Sequence, residues 1–339
     1  MIKTYRAVTL PRFGAENLVL TERAVPEPGA NEIVIRLTSA SVNYRDVVVV
    51  DGTYRPDMAL PIVPLSDGCG EVVSVGDSVT RFKVGDRALP VYTRGWTNGP
   101  ATQEQRTART LGGPFDGVAR EMIAVSEDNA VRAPATLSDV EASTLPIAAL
   151  TAWTTLKQAG ARPGQWVLTL GTGGVALFAL QFAKLAGASV VALTSSNDKA
   201  ELLSNLGADA VVNYKDTPDW APVVRDITGD GVDIAVETVG ATLPLTLGSM
   251  AFNGFVGVIG FLGAKQAPAD IGKLIGGCIR VQGIATGSRT NLEEAIAAID
   301  AHGLKPVLDE ARFSMDQLGA ALERQKSRAH IGKITIDLT

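Results

Sequence analysis

Two cysteines in 339 residues, Cys69 and Cys278, are too few for a disulfide framework or a four-cysteine zinc lobe. Histidine is equally scarce. His302 and His330 stand in no motif with a nucleophile, so Ser-His hydrolysis has no foundation, and they read as surface or capping residues. No basic block occurs, and the formal net charge of −5 argues against nucleic acid as a main partner. The opening MIKTYRAVTLPRFG contains no apolar core of signal-peptide length. The greasiest region, Gln165 to Thr194, is interrupted by Gly171, Gly173, Gly174, Gln181 and Lys184, which suits burial in a domain better than a membrane span. Internal repeats and low-complexity segments are absent. What remains is a turn-rich globular protein of 35.4 kDa with 46% hydrophobic residues, 35 glycines and a mean hydropathy of +0.16. It is expected in the cytoplasm, acting on a small molecule. The length exceeds what one core usually supports, so two domains are expected.

The same greasy region is the most informative stretch. Gln165 to Leu170 is a short apolar run of strand type, followed at once by Gly171-Thr172-Gly173-Gly174-Val175-Ala176. Leu177, Leu180, Phe182, Ala183 and Leu185 then recur at helical spacing, Gly187 stops the helix, and Ser189 to Leu193 is a second strand. This is one βαβ unit whose turn reads G-x-G-x-x-A. The first glycine makes the tight turn, the second lets backbone N–H groups approach a pyrophosphate, and small Ala176 lets the helix lie close to the strand. The helix N-terminus adds free donors and partial positive charge. A glycine turn alone also serves plain strand-to-helix connections; its setting in a unit of about 30 residues favours a dinucleotide.

The end of the second strand bears on which dinucleotide. An NAD site places Asp or Glu about 20 residues past the turn for the ribose hydroxyls. Here Thr194 takes that place, followed by Ser195-Ser196-Asn197-Asp198-Lys199. A carboxylate would repel a 2′-phosphate, whereas hydroxyls and a lysine would bind it, so NADP(H) is the expected cofactor. Ser196 or Asn197 also suits a helix N-cap, and the two roles are compatible.

Residues 1–129 read as β-rich: Leu18 to Arg23, Glu32 to Thr38 and Gly70 to Val75 alternate, with a turn and strand at Val84 to Ala88, as in a compact barrel-like domain. A polar, glycine-rich and threonine-rich loop spans Tyr92 to Gly117. From Ala130 helices and strands alternate. Ser138 and Glu141 form a capping box before a helix over Ala142 to Lys157. Further strands are expected at Ala208 to Asn213, Val232 to Glu237, Gly254 to Gly260 and Ile279 to Ala285, making a doubly wound parallel sheet over 130–286. Helices at Asn291 to Ala301 and Met315 to Arg324 and a strand at Lys333 to Leu338 would return the tail, 287–339, to the first domain.

Several motifs in this order carry a resemblance. Leu145-Pro-Ile-Ala-Ala-Leu-Thr-Ala-Trp153, Gly164-Gln-Trp-Val-Leu, the glycine turn, Leu206-Gly-Ala-Asp and Val211-Val-Asn-Tyr214 resemble the medium-chain dehydrogenase/reductase superfamily. Ala40-Ser-Val-Asn43-Tyr-Arg-Asp46, Gly52-Thr53-Tyr54 and His330-Ile-Gly-Lys333-Ile resemble its zinc-free quinone oxidoreductase branch. The resemblance implies an α/β protein with a GroES-like catalytic domain and a Rossmann domain, and hydride transfer from NADPH in the cleft between them. Zinc alcohol dehydrogenases of the superfamily carry cysteine where this chain has Asn43, a His-Glu pair where it has Ser66-Asp67, and cysteine where it has Ile147. Asn, Ser and Ile cannot supply a tetrahedral zinc site, so no metal is expected. Substrate polarisation would then fall to Asn43 and Tyr54, although Tyr54 also suits simple packing after the Asp51-Gly52-Thr53 turn. Asp46 either orients a neighbouring side chain or is an ordinary helix-start acid. The resemblance places Thr151 near the nicotinamide, where bonding back to its own helix fits as well, and Tyr214 at the adenine, where strand-end packing fits as well. Val239, Gly240, Phe261, Gly263 and Lys333 are further expected cofactor contacts. A homodimer pairing the Ile279 to Ala285 edge is implied too, although an edge can equally be covered within one chain.

Overall fold

The computed structural model describes residues 3–339. The chain divides into two compact units, Met1–Leu150 with Gly287–Thr339, and Thr151–Thr286. Residues 130–150 group with the first unit and not with the second. The reason is strand pairing. Ala130–Arg132 forms an antiparallel ladder with Arg87–Pro90, which commits the next residues to the first unit's sheet.

The first unit is built on Glu32–Ser41, a central strand paired antiparallel with Asp67–Val75, Met122–Ser126 and Lys333–Asp337. Its side chains are buried at Ile33, Val34, Ile35, Leu37 and Ala40, since neighbouring strands and helices cover most of its surface. The tail strand enters in a defined register, Thr335 opposite Ser41 and Ile336 opposite Ala40. That register carries Lys333 to the residues just past Ser41. Tyr44–Val50 is a helix, and Asp46, Val47, Val48, Val49 and Val50 are all buried. The Tyr92 to Gly117 stretch is less loop-like than its composition suggests: Thr102 caps a short helix, Gln103–Ala108, and Tyr92 and Trp96 are buried.

The Ser138–Glu141 capping box forms, but its helix is brief, Asp139–Ala142. A π-helical segment, Leu145–Ala149, precedes the helix Leu150–Ala159. Pro146 has no N–H to give, so a continuous α-ladder from Ala142 is interrupted there.

The second unit is a six-stranded parallel sheet in the order Ala210–Asn213, Ser189–Thr194, Trp166–Leu170, Val232–Glu237, Met250–Val258, Arg280–Gly283. Because all strands run the same way, the glycine turn and the segments after Thr194, Asn213, Glu237 and Val258 lie along one edge. The helix Gly174–Leu185 buries residues on nearly all sides, including Phe178 and Phe182, whose rings stack at 5.9 Å while Trp153 meets Phe182 edge-on at 5.2 Å. Gly187, at φ 77, ends it in a conformation that glycine adopts without penalty. Among the described residues no helix is long and apolar enough to cross a membrane.

Candidate functional site

The glycine turn has the shape a pyrophosphate needs. Gly171 sits at φ 84, and its N–H is bonded to Leu193 O across the strand ends. A Cβ placed on Gly171 or Gly173 would meet no atom within 4 Å, so these glycines are not required by packing of the protein against itself. Gly173 is the helix N-cap and provides no side-chain cap, which leaves the N–H groups of Gly174, Val175 and Ala176 facing out of the first turn. Ala176 is buried where the helix meets the strand, and Thr172 is buried in the turn. This arrangement fits a dinucleotide.

Thr194 is wholly buried, and its hydroxyl donates to Ser196 O and accepts the Ser196 N–H, holding the following loop. Neither Ser196 nor Asn197 caps the helix Asp198–Asn205; Asn197 Oδ1 instead accepts from Asn213 Nδ2 at 3.1 Å. The serine hydroxyls therefore have no capping duty, and Lys199 stands in the first helical turn just after them. The Tyr214 N–H is bonded to Thr194 O, while its ring is 40% exposed, which argues against strand-end packing as its purpose. Val239, Gly240, Phe261 and Gly263 follow strand ends on the same edge, and Gly263 N donates to Val239 O at 2.8 Å. Thr151 is buried at the start of its helix.

The second group lies within the first unit. Asn43 is the N-cap residue of Tyr44–Val50, and its backbone N–H donates to Asp46 Oδ2 at 2.8 Å. Its side chain meets two buried partners: Nδ2 donates to Asp67 Oδ2 at 2.8 Å, and Oδ1 accepts from Lys333 Nζ at 2.7 Å. Lys333 also donates to Val42 O at 2.9 Å and approaches Asp67 Oδ2 at 3.5 Å. The assignment of Lys333 to the cofactor is thereby corrected. Its ammonium is buried with its donors engaged inside the first unit, leaving none to reach a phosphate. Asp46 stands as a helix-start acid, at the third helical position with its carboxyl group on the backbone N–H of the N-cap residue Asn43.

Burial dominates the electrostatics. It pushes the Asp46 carboxyl up to about 6 against the pull of Arg45, raises Asp67 against the pull of Lys333, and lowers Lys333 against the pull of both acids. The resemblance sets Asn43, Ser66-Asp67 and Ile147 against the metal ligands of zinc relatives; here Asn43 is bonded to Asp67, and the Ile147 backbone also favours the charged form of Asp67. Asp67 is the lone anionic donor of the set and already has a cation beside it. These residues do not fit zinc, and among the described residues no three His, Cys, Asp or Glu side chains group as a metal site.

Tyr54 is half-buried and packs against the first unit's core. Its ring lies 5.4 Å from the Arg45 guanidinium, which is also 5.0 Å from the Tyr92 ring and donates to Gly112 O, Thr110 Oγ1 and Gly113 O. Arg45 in turn stands 3.8 Å from Asp46. The packing and catalytic readings of Tyr54 are compatible: the ring is braced, and no hydrogen bond engages the hydroxyl among the described residues. Arg45 and Tyr92 are absent from the residues singled out in the sequence. Arg45 stood inside the Asn43 motif, but nothing local shows that it meets a loop more than 60 residues away.

Residues 29–135 match the family model for the alcohol dehydrogenase GroES-like domain, and 174–301 that for zinc-binding dehydrogenases. A zinc-type alcohol dehydrogenase-like protein of Schizosaccharomyces pombe is 38% identical over 337 residues, covering 96% of each chain. The crystal structure of a Sinorhizobium meliloti 1021 protein provisionally named an alcohol dehydrogenase is 40% identical, with a TM-score of 0.93 over 99% of both chains. The acryloyl-coenzyme A reductase of Metallosphaera sedula is 28% identical, covering 92% of this chain and 93% of its own.

Proposed function

Because the chain belongs to the medium-chain dehydrogenase/reductase superfamily, we propose that it is an NADP(H)-dependent reductase of the zinc-free, quinone oxidoreductase-like branch, acting on a quinone or an α,β-unsaturated carbonyl. The carrying observation is the Lys333 ammonium, seated against Asn43 and Asp67 where zinc relatives place metal ligands. Polarisation of the substrate oxygen then falls to hydrogen-bond donors. When bound, NADPH supplies the hydride.

Lys333 can only donate, so it forces Asn43 Oδ1 toward itself and turns the amide nitrogen the other way. One Nδ2 hydrogen is bonded to Asp67; the second is free for a substrate oxygen. Tyr54 is the other donor, its ring held by Arg45, and it or solvent delivers the proton. Ser195, Ser196 and Lys199 hold the 2′-phosphate, Gly171 to Val175 the pyrophosphate, and Tyr214 the adenine. The acryloyl-coenzyme A reductase supports an enone substrate, whereas the alcohol dehydrogenase names of other relatives favour ketone and alcohol interconversion as a second reading.

The edge strand Arg280–Gly283 is exposed at all four residues and paired on one side, and Phe252, Ile271 and Ile275 are exposed on preceding elements, as suits pairing with a second copy. Free Cys69 and Cys278 suit a reducing, cytoplasmic setting.

The test is NADPH oxidation against a panel of enones, quinones and ketones, with metal analysis and a chelator control. Turnover of enones or quinones without stoichiometric zinc is expected. About one zinc per chain with activity lost on its removal would overturn the zinc-free reading. Tight NADPH binding with no turnover on any substrate would identify a binding protein instead.

A further inference from the structure

Glu237 ends the strand Val232–Glu237 and is completely buried, yet no lysine or arginine pairs with it among the described residues. Neutral donors satisfy it instead. Oε1 accepts the backbone N–H groups of Val239 at 2.9 Å and Gly240 at 3.0 Å and the Thr242 hydroxyl at 2.8 Å; Oε2 accepts the Thr246 hydroxyl at 2.5 Å. Its main-chain oxygen accepts Ile259 N at 2.8 Å and Gly260 N at 3.4 Å. One residue therefore binds the loop that follows its own strand and the loop that follows the neighbouring strand.

The two loops are also locked to each other. A Cβ on Gly260 would lie 2.3 Å from Thr238 O, and one on Gly240 would lie 2.6 Å from Ala264 O, so the backbones approach as closely as glycine permits. Thr238 Oγ1 donates to Leu170 O at 3.2 Å, which ties this assembly to the base of the glycine turn. A buried polar group is costly unless its hydrogen-bond partners are in place, so the four donors around the Glu237 side chain are held as one set and the two loops with them.

We infer that Glu237 is a positioning residue for the nicotinamide half of the cofactor: it touches no cofactor atom but holds the Val239–Gly240 and Ile259–Gly263 segments in the binding conformation. This rests on the NADP(H) reading above. Without the carboxylate the competent loop conformation is populated only part of the time, and the apparent affinity falls by that fraction.

The experiment uses the full chain and two probes, NADPH and adenosine 2′,5′-bisphosphate, which presents the 2′-phosphate and adenine but no nicotinamide. Glu237→Gln keeps the size and the Oε1 contacts but replaces an acceptor facing Thr246 with a donor. It should raise the Kd for NADPH about tenfold while changing that for adenosine 2′,5′-bisphosphate by less than about twofold. Thr246→Val, which removes one donor and is nearly isosteric, should show a smaller effect of the same pattern. Unchanged NADPH affinity in both variants, or equal losses for both probes, would overturn the inference; equal losses would mean that Glu237 merely holds the unit together. Failure of the unmodified protein to bind either probe would instead sink the cofactor reading.

Discussion

Replacing Lys333 with methionine removes a buried ammonium and keeps most of the side-chain volume, so its effect reads the contribution of one charge. The ammonium has three neighbours, Val42 O, Asn43 Oδ1 and Asp67 Oδ2, and its side chain is 4% exposed while that of Asp67 is 0% exposed. Removing one partner of a buried pair typically destabilises by about 3–5 kcal/mol, because the other charge is left without its counter-ion. The 3.5 Å separation from Asp67 is longer than a strong charge-assisted bond, and Asn43 Nδ2 still donates to Asp67, so the lower end, about 3 kcal/mol, is expected. Asp67→Asn removes the charge that most needs the ammonium. The double variant should therefore lose less than the sum of the singles by roughly 1–2 kcal/mol. Urea unfolding of the four proteins at neutral pH measures this cycle. Kinetics add an independent readout: kcat should fall because Asn43 is no longer oriented, while the NADPH Kd stays within about twofold. A single-variant loss under about 1 kcal/mol with zero coupling would refute the buried pair, and a selective loss of NADPH affinity would return Lys333 to the cofactor site.

Lys199→Ala should raise the KM for NADPH about tenfold or more while leaving that for NADH nearly unchanged, because only NADPH presents a phosphate to this cation; equal effects on both cofactors would place Lys199 outside the site. Tyr54→Phe keeps the ring that packs on Arg45 and removes only the hydroxyl, so kcat should drop by roughly 10-fold to 100-fold with NADPH binding intact. Full kcat in that variant would assign proton delivery to solvent. Burial pushes Asp46 up to about 6 from 3.8, so between these values the folded protein holds a proton that the unfolded chain has released. This contribution favours the fold at the acid end and is lost as pH rises toward 6. Asp46→Asn should accordingly gain stability relative to the unmodified protein across that window, by up to about 3 kcal/mol, and level off above it; a pH-independent difference would show that Asp46 titrates normally.

Much of the nucleotide-binding unit was legible in the sequence because its determinants are local. Period-two and helical patterns, glycines where the backbone must turn or be approached, and the missing acid at Thr194 all lie within Gln165 to Lys199, and the structure places the turn and both strands there. The incompatibility of Asn43, Ser66 and Ile147 with zinc is likewise a matter of side-chain chemistry at aligned positions. The resemblance gave Lys333 the wrong duty, and nothing nearby in the chain corrects it: its partner Asn43 is 290 positions away, and only the register of Lys333–Asp337 against Glu32–Ser41 brings them together. The same holds for Arg45 with Tyr92, for the pairing that assigns Ala130–Arg132 to the first unit, and for Glu237, whose strand was plain but whose four donors come from a loop and a short helix that fold back over it. Local patterns select an element and its buried face, whereas a buried polar group acquires its role from whichever donors the packed chain brings within hydrogen-bond distance.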